Sequence, residues 1–204
     1  MSNRLLVGVL FASVTAFGGT SHAQNAAVVI RPPSVDTSPR PAARPADVES
    51  VDAILKSLYD VISGPAGQER DWNRFRSLLV PNARLMPTRV NPYGTADVAV
   101  LSADDYVRTG GPSLVKSGFF EREISRKVER YGSVLHAFST YESRRTADLN
   151  ETPFARGINS IQLLKDGNRW WVVTIYWDSE RPGNEIPAEY LPKPKPQKLS
   201  RCAI

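Results

Sequence analysis

Reactive side chains are scarce in this sequence, and the scarcity bounds its chemistry before any fold is considered. There are two histidines, His22 and His136, and one cysteine, Cys202, close to the end of the chain. The one histidine beyond the N-terminal segment and one cysteine cannot supply the ligands of a zinc site, and no acidic run has calcium-loop spacing, so neither metal nor cofactor is expected. Ser113-Leu114-Val115-Lys116 has the serine-x-x-lysine spacing of penicillin-binding enzymes, but no Ser-Asp-Asn or Lys-Thr-Gly partner exists elsewhere in the chain. His136 is therefore the one side chain beyond the N-terminal segment that ordinarily titrates near neutral pH. It is an acid or base if it faces a cavity, and an ordinary core histidine if it does not. Arg122 and Glu142 are expected to pair across neighbouring strands as an ion pair. Asn150-Glu151-Thr152 is a glycosylation sequon in form, but Pro153 follows it and makes it uninformative.

The elements that must position these groups lie mostly in the second half of the chain. Three period-two segments, Phe120 to Tyr131, Val134 to Arg145 and Phe154 to Glu180, carry the strand signal, the last split at Asp166-Gly167-Asn168. Taking Asp166-Gly167-Asn168 and Tyr131-Gly132-Ser133 as three-residue corners sets Leu163 opposite Trp171, Ile161 opposite Val173, Asn159 opposite Ile175, Val128 near His136 and Arg122 near Glu142. Across the next turn Phe138 meets Ile161 and Thr140 meets Asn159. One face then carries Ile124, Val128, Val134, Phe138, Ile161, Leu163, Trp171, Val173, Ile175 and Trp177, interrupted by Arg122, Arg126, His136, Thr140, Glu142 and Asn159, of which His136, Thr140 and Asn159 are the uncharged ones. An apolar face with a few convergent polar groups is the lining of a pocket. Phe138 and Ile161 would floor it, with Trp171 beside them. The opposite face holds Tyr141, Ile158, Trp170, Val172 and Tyr176, apolar enough to expect a homodimer there.

Upstream, Asp47 or Ser50 caps a helix with apolar positions Val51, Ile54, Leu55, Leu58, Tyr59 and Ile62, ended by Gly64-Pro65. Asp71 opens a second helix through Leu79. Ala83 to Met86 reads as a short strand and Pro87 to Leu101 as a loop whose Tyr93 can lie over a cavity mouth. Ser102-Ala103-Asp104-Asp105 is a capping box for a third helix with Tyr106 and Val107, broken at Gly110-Gly111-Pro112. Helices followed by long strands joined by short turns make this an α+β chain, a curved antiparallel sheet wrapped around N-terminal helices.

Met1 to Ala23 has one basic residue, an apolar stretch from Leu5 to Phe17 and the small-x-small site Ser21-His22-Ala23. This is the pattern of a cleaved secretory leader, with Gln24 first in the mature chain and a periplasmic or secreted location. Its apolar run is shorter than the ~20 residues of a membrane span, so no integral membrane segment is expected after cleavage. Residues 24–46 are proline-rich and read as a disordered linker, and 192–204 as a basic Pro/Lys tail, leaving 47–191 as one domain. The formal net charge is +5, much of it in these two segments. No basic helix or basic stretch interleaved with aromatics accompanies it, so nucleic acid is not an expected partner.

Ile54-Leu55-Lys56-Ser57-Leu58-Tyr59-Asp60, Asp71-Trp72-Asn73-Arg74-Phe75, Pro81-Asn82-Ala83-Arg84-Leu85, and Asn168-Arg169-Trp170-Trp171 through Ile175-Tyr176-Trp177 follow one another in an order that resembles the nuclear transport factor 2-like superfamily, which includes the SnoaL-like polyketide cyclases. The resemblance covers about Asp47 to Leu191 and implies a cone-shaped α+β barrel, an open-ended cavity and frequent dimerisation; taken with the leader, the chain is expected to be an exported bacterial member. In its isomerase branch a helix tyrosine and a strand acid hold an oxyanion; Tyr59 and Asn159 fall at those places. The branch's base has no counterpart in Arg84-Leu85-Met86-Pro87, and no inward aspartate accompanies His136 as the dehydratase branch requires.

Two functions fit. One is a non-catalytic cone that binds a small apolar or aromatic molecule, or serves as a dimeric accessory module, with Phe138, Thr140, Ile161, Tyr93, Tyr106 and Trp171 around the ligand. The other is a cofactor-free lyase or isomerase with His136 as acid or base and Tyr59 and Asn159 as oxyanion donors. The first is preferred, because one titratable group without an orienting carboxylate is thin equipment for proton transfer.

Overall fold

The structure, a computed structural model, describes residues 40–193. The leader at 1–23, most of the 24–46 linker, Cys202 and nearly all of the basic tail lie outside the described residues. Four helices, α1 (Pro45–Val48), α2 (Val51–Ile62), α3 (Trp72–Leu78) and α4 (Ala103–Ser117), pack on a six-stranded sheet. Its strands are β1 (Leu79–Val90), β2 (Ala96–Val98), β3 (Phe120–Tyr131), β4 (Val134–Arg144), β5 (Ala155–Asp166) and β6 (Arg169–Ser179), in the order β2-β1-β6-β5-β4-β3. All pairings are antiparallel except β1 with β6, which is parallel. The α+β expectation holds, with a mixed sheet.

The helix starts follow the sequence. Ser50 Oγ accepts from Ala53 N at 3.0 Å, Asp71 Oδ1 from Arg74 N at 2.8 Å, and Ser102 and Asp105 form the reciprocal capping box, each cap contributing about 1 kcal/mol. Ile54, Leu55, Leu58, Val61 and Ile62 of α2 are buried, as the stripe requires. Two boundaries differ. The helix α4 does not stop at Gly110-Gly111-Pro112 but runs to Ser117. A Cβ on Gly111 would sit 3.0 Å from the Trp72 ring, so glycine there is a packing contact with α3 rather than a break. The short strand expected at Ala83 to Met86 is the centre of the longer β1, and the loop after it is a hairpin. Asn91 Oδ1 accepts from Tyr93 N and Thr95 N and turns the chain into β2.

The hairpin registers also differ, and with them the faces. Both β-hairpin turns have two residues, Gly132-Ser133 and Gly167-Asn168, with glycine first at φ 56° and 54°. Tyr131 therefore meets Val134, and Asp166 meets Arg169. A one-residue shift turns every side chain over. In β4 it is Leu135, Ala137, Ser139, Tyr141 and Ser143 that are buried against the helices, while Val134 is 62% exposed. Ala137, not Phe138, lies opposite Ile161, and Ser139, not Thr140, lies opposite Asn159. In β6 a bulge at Val173 changes the phase, so Trp170 and Val172 point inward on one side of it and Ile175 on the other. Three of the five residues expected on a dimer face, Tyr141, Trp170 and Val172, are thus core residues.

The outer face of β4 and β5 is partly covered by the chain itself. After β6 the segment 180–191 returns across it, burying Ile186 and setting the Tyr190 ring edge-on to Phe138 at 5.0 Å. Thr140 Oγ1 donates to Tyr190 O at 2.7 Å, and Lys127 pairs with Glu189. At the other end of the linker, Ala43 packs on the core and α1 begins at Pro45, so the described end of that proline-rich segment is docked.

Candidate functional site

The interior of the cone is set by α2, α4 and the inward residues of β3 to β6. Of the residues singled out from sequence, it brings together Tyr59, Asn159 and Tyr106. Tyr59 comes from the buried stripe of α2; Asn159 Nδ2 donates to its hydroxyl at 3.1 Å, and the same hydroxyl lies 2.7 Å from Ser139 Oγ. Ser139 in turn bonds Glu123, which Arg126 holds as an ion pair at 2.9 Å. The direction of this chain is fixed by its end. An ionised carboxylate only accepts, so Ser139 donates to Glu123, accepts from Tyr59, and leaves Tyr59 oxygen to accept from Asn159. Burial, with Glu121 and Glu123 nearby, pushes the Tyr59 phenol far above its ordinary pKa. The pair is therefore present, but the one proton of Tyr59 is already committed toward Ser139 and is not free to meet an oxyanion.

Beside this network stands a group the sequence reading missed. Glu121 is an inward residue of β3, and Ser143 Oγ donates to its Oε2 at 2.8 Å. Burial raises its pKa to about 7, with hydrogen bonds from Ser143 and Asn159 pulling back only in part. Among the described residues no ion pair reaches it. The contrast is Glu142 on the other face: burial works against its ionisation too, but the Arg144 and Arg122 guanidiniums outweigh that and hold its carboxyl below the usual range. The expected pair of Arg122 with Glu142 is present at 2.6 Å.

Glu121 opens into a cavity of about 320 Å³ that the α2, α3 and α4 helices close from one side and β3 to β6 from the other. Aliphatic walls come from Leu58, Ile62, Leu85, Leu114 and Ile175, and aromatic ones from Phe75, Tyr106, Phe119, Tyr141 and Trp177. Phe75 and Tyr106 stack at 5.4 Å. The Tyr106 phenol is pushed above its ordinary value by burial, then by the Glu121 charge, and has no hydrogen-bond partner among the described residues. The Tyr141 hydroxyl lies 3.1 Å from Ser179 Oγ, and burial raises its pKa to about 12. Gly157 makes room for it: a Cβ there would stand 2.5 Å from the Tyr141 oxygen. On the far side of Tyr59 and Glu121 a second, charged groove of about 430 Å³ contains Asp52, Lys56, Arg122 and Arg126. Tyr59 and Glu121 line both.

The remaining expected site residues are elsewhere. His136 is on the outer face of β4, its Nε2 2.8 Å from Ser160 Oγ and its Nδ1 3.8 Å from Glu129. It lines neither the cone nor the charged groove, because the two-residue turn at Gly132-Ser133 puts odd-numbered residues of β4 inside. Phe138 and Thr140 are on that outer face too, beneath Tyr190. Ile161 is inward but fully buried in the core. Trp171 is outside, under the Arg169 guanidinium at 3.2 Å. Tyr93 is 92% exposed at the β1–β2 hairpin tip and covers no mouth. Among the described residues no group of three or more histidine, cysteine or acidic side chains is placed to hold a metal, and no helix is long and apolar enough to cross a membrane.

No protein-family model and no curated protein matches the chain. Its neighbours among solved structures include nuclear transport factor 2-like proteins. One, of unknown function, from Silicibacter pomeroyi, is 13% identical over 64% of this chain and 92% of that one, with a TM-score of 0.43. A protein of unknown function with a cystatin-like fold from Nostoc punctiforme is 10% identical over 64% and 93%, TM-score 0.45. The CaMKII hub of S. rosetta is 13% identical over 63% and 90%, TM-score 0.43.

Proposed function

We propose that this is an exported binding protein whose cone takes up a small, largely apolar molecule and meets its one polar group with Glu121. The observation that carries the reading is a single carboxyl in a cavity lined mostly by apolar and aromatic side chains, with no cation among the described residues paired with it. A carboxyl buried for packing alone costs stability and is cheaply replaced, whereas a pocket needs a few fixed polar groups to orient what enters. The volume, about 320 Å³, is at the small end of the range for ligand pockets, about 300–1,000 Å³.

One observation favours proton transfer as a second reading. A carboxyl with a pKa of about 7 is poised as a general base at neutral pH, and Tyr106 presents a free hydroxyl to the same space. His136 has no part in either reading, and Tyr59 and Asn159 line the cavity with their polar ends bonded to each other rather than acting as an oxyanion pair. The test is a screen of small aromatic and alicyclic compounds by ligand-observed NMR against the wild type and Glu121→Leu. Binding in the wild type that weakens at least tenfold in the variant, with the fold retained, supports the site; wild-type binding that the variant leaves untouched rejects it. Turnover of an enolisable ketone lost in Glu121→Gln would favour the second reading. Export predicts a secreted or periplasmic chain beginning at Gln24, and mass spectrometry of an intact Met1 chain from the membrane fraction would reject it.

A further inference from the structure

The donors and acceptors facing the cone do not balance, and the imbalance specifies the charge of what fits. The residues lining it include no lysine, arginine or histidine, and Glu121 is the one charged side chain among them. Ser143 Oγ donates to it at 2.8 Å, an arrangement that supports an ionised rather than a neutral carboxyl, and the nearby Asn159 amide acts in the same sense. Two of the donors that would otherwise greet an anionic or carbonyl ligand are spent. The Tyr59 proton runs to Ser139, and Asn159 donates to the Tyr59 oxygen. Around the carboxyl stand the rings of Tyr59, Phe75, Tyr106, Phe119, Tyr141 and Trp177. Aromatic faces surrounding an acidic group attract an organic cation through the ring quadrupole, most strongly when the cation is desolvated.

Resting on the binding role given above for this cavity, we infer that its ligand is a small organic cation, an ammonium carrying apolar or aryl substituents, seated between these rings with its charge on Glu121. An anionic ligand would meet Glu121 as a like charge and find only the Tyr106 hydroxyl and, at the rim, Ser113 to receive it. A neutral hydrocarbon would fill the space and leave the carboxyl unpaired. The groups that face Glu121 from the surrounding elements are Tyr59 of α2, Tyr106 of α4, Tyr141 and Ser143 of β4, Asn159 of β5 and, on its own strand, Glu123; across the charged groove that Glu121 also lines stand Asp52, Lys56 and Asp60 of α2, Arg122 and Arg126 of β3 and Arg144 of β4. All three phenols are shifted upward and stay neutral through the physiological range, and Glu123 is held by Arg126. Cation binding should therefore strengthen as pH rises from 5 to 8 and Glu121 ionises.

Three probes of nearly one shape separate the possibilities: benzyltrimethylammonium, which does not titrate; neopentylbenzene, its neutral carbon isostere; and phenylacetate. Each is measured against the full chain by NMR at pH 5 and pH 8. The expected result is binding of the cation at pH 8 at least tenfold tighter than of the isostere, a weakening of at least fivefold at pH 5, and loss of the preference in Glu121→Gln, whose amide still accepts from Ser143. If that variant does not fold, Tyr106→Leu, compared with Tyr106→Phe, is the second probe: leucine should weaken the cation at least threefold and phenylalanine should not. Equal or tighter binding of the isostere or of phenylacetate, or a cation affinity indifferent to these variants, overturns the inference and leaves the binding role standing. Binding of none of the three at millimolar concentration overturns both.

Discussion

At Glu121 the cost of the site is visible as a pH dependence. Its carboxyl has a folded-state pKa of about 7 against an ordinary value of 4.5, so between those pH values the folded chain holds a proton that the unfolded chain has released. Stability from this group is full below about pH 4.5 and falls as pH rises toward 7. Glu121→Gln should leave stability near pH 4.5 almost unchanged and raise it above pH 7 by about 1–3 kcal/mol, read as the difference between urea denaturation curves of the two proteins. The paired acids Glu142 and Glu180, both held below their ordinary range, act in the opposite sense, and the difference cancels them. An equal stability gain at both pH values would mean that Glu121 is not the titrating group. Nothing in the local sequence flags this residue. Phe119-Phe120-Glu121-Arg122-Glu123 alternates charge on both faces, and only the register of β3 on β4, with its bulge at Ile124, turns Glu121 inward. Tyr59, in contrast, lay in a stripe of period 3.6, and a helix's buried face survives small errors in its ends.

At the scale of elements, the helices were legible and the strand faces were half legible. Caps are local: Ser50, Asp71 and Ser102 each bond a backbone N–H within three residues. Faces are not, because they depend on turn length, and each three-residue corner is in fact a two-residue turn led by glycine. His136 left the core through that one-residue change, while Ile161, Ile175 and the partly buried Trp177 kept the expected face because the β6 bulge restored the phase. The α2–α3 connection depends on a residue that no pattern announces. Arg70 is buried, and its guanidinium donates to the carbonyls of Ile62, Gly64, Pro65, Gln68 and Leu114. It thereby satisfies orphan carbonyls at the ends of α2 and α4. Gly64 allows this, since a Cβ there would fall 2.6 Å from Arg70 Nη1. Arg70→Met should cost about 2–4 kcal/mol, measured as a lower melting temperature with the far-UV spectrum retained; a loss under about 0.5 kcal/mol would show these carbonyls to be solvated equally well by water.

For the whole molecule, the segment after β6 behaves as a strap on the sheet's outer surface. Ending the chain at Pro182 removes Ile186 and Tyr190 and uncovers Phe138 and Thr140. The lost burial is on the order of 2–4 kcal/mol, so the melting temperature should fall by roughly 5–10 °C; an unchanged value would make the strap ornamental. Another whole-chain feature sets the tempo of assembly. The β3 to β6 strands form a meander of neighbours in sequence, but the parallel pair of β1 with β6 joins Leu85 to Ile175, and every residue of α4, β3, β4 and β5 lies in the loop that this pairing closes. Such closure is the most expensive in chain entropy and rewards only its last contacts. The meander is therefore poised to form first and the cone to shut last, so that the cavity around Glu121 comes into being only at the end of folding, and opens first when the protein begins to unfold.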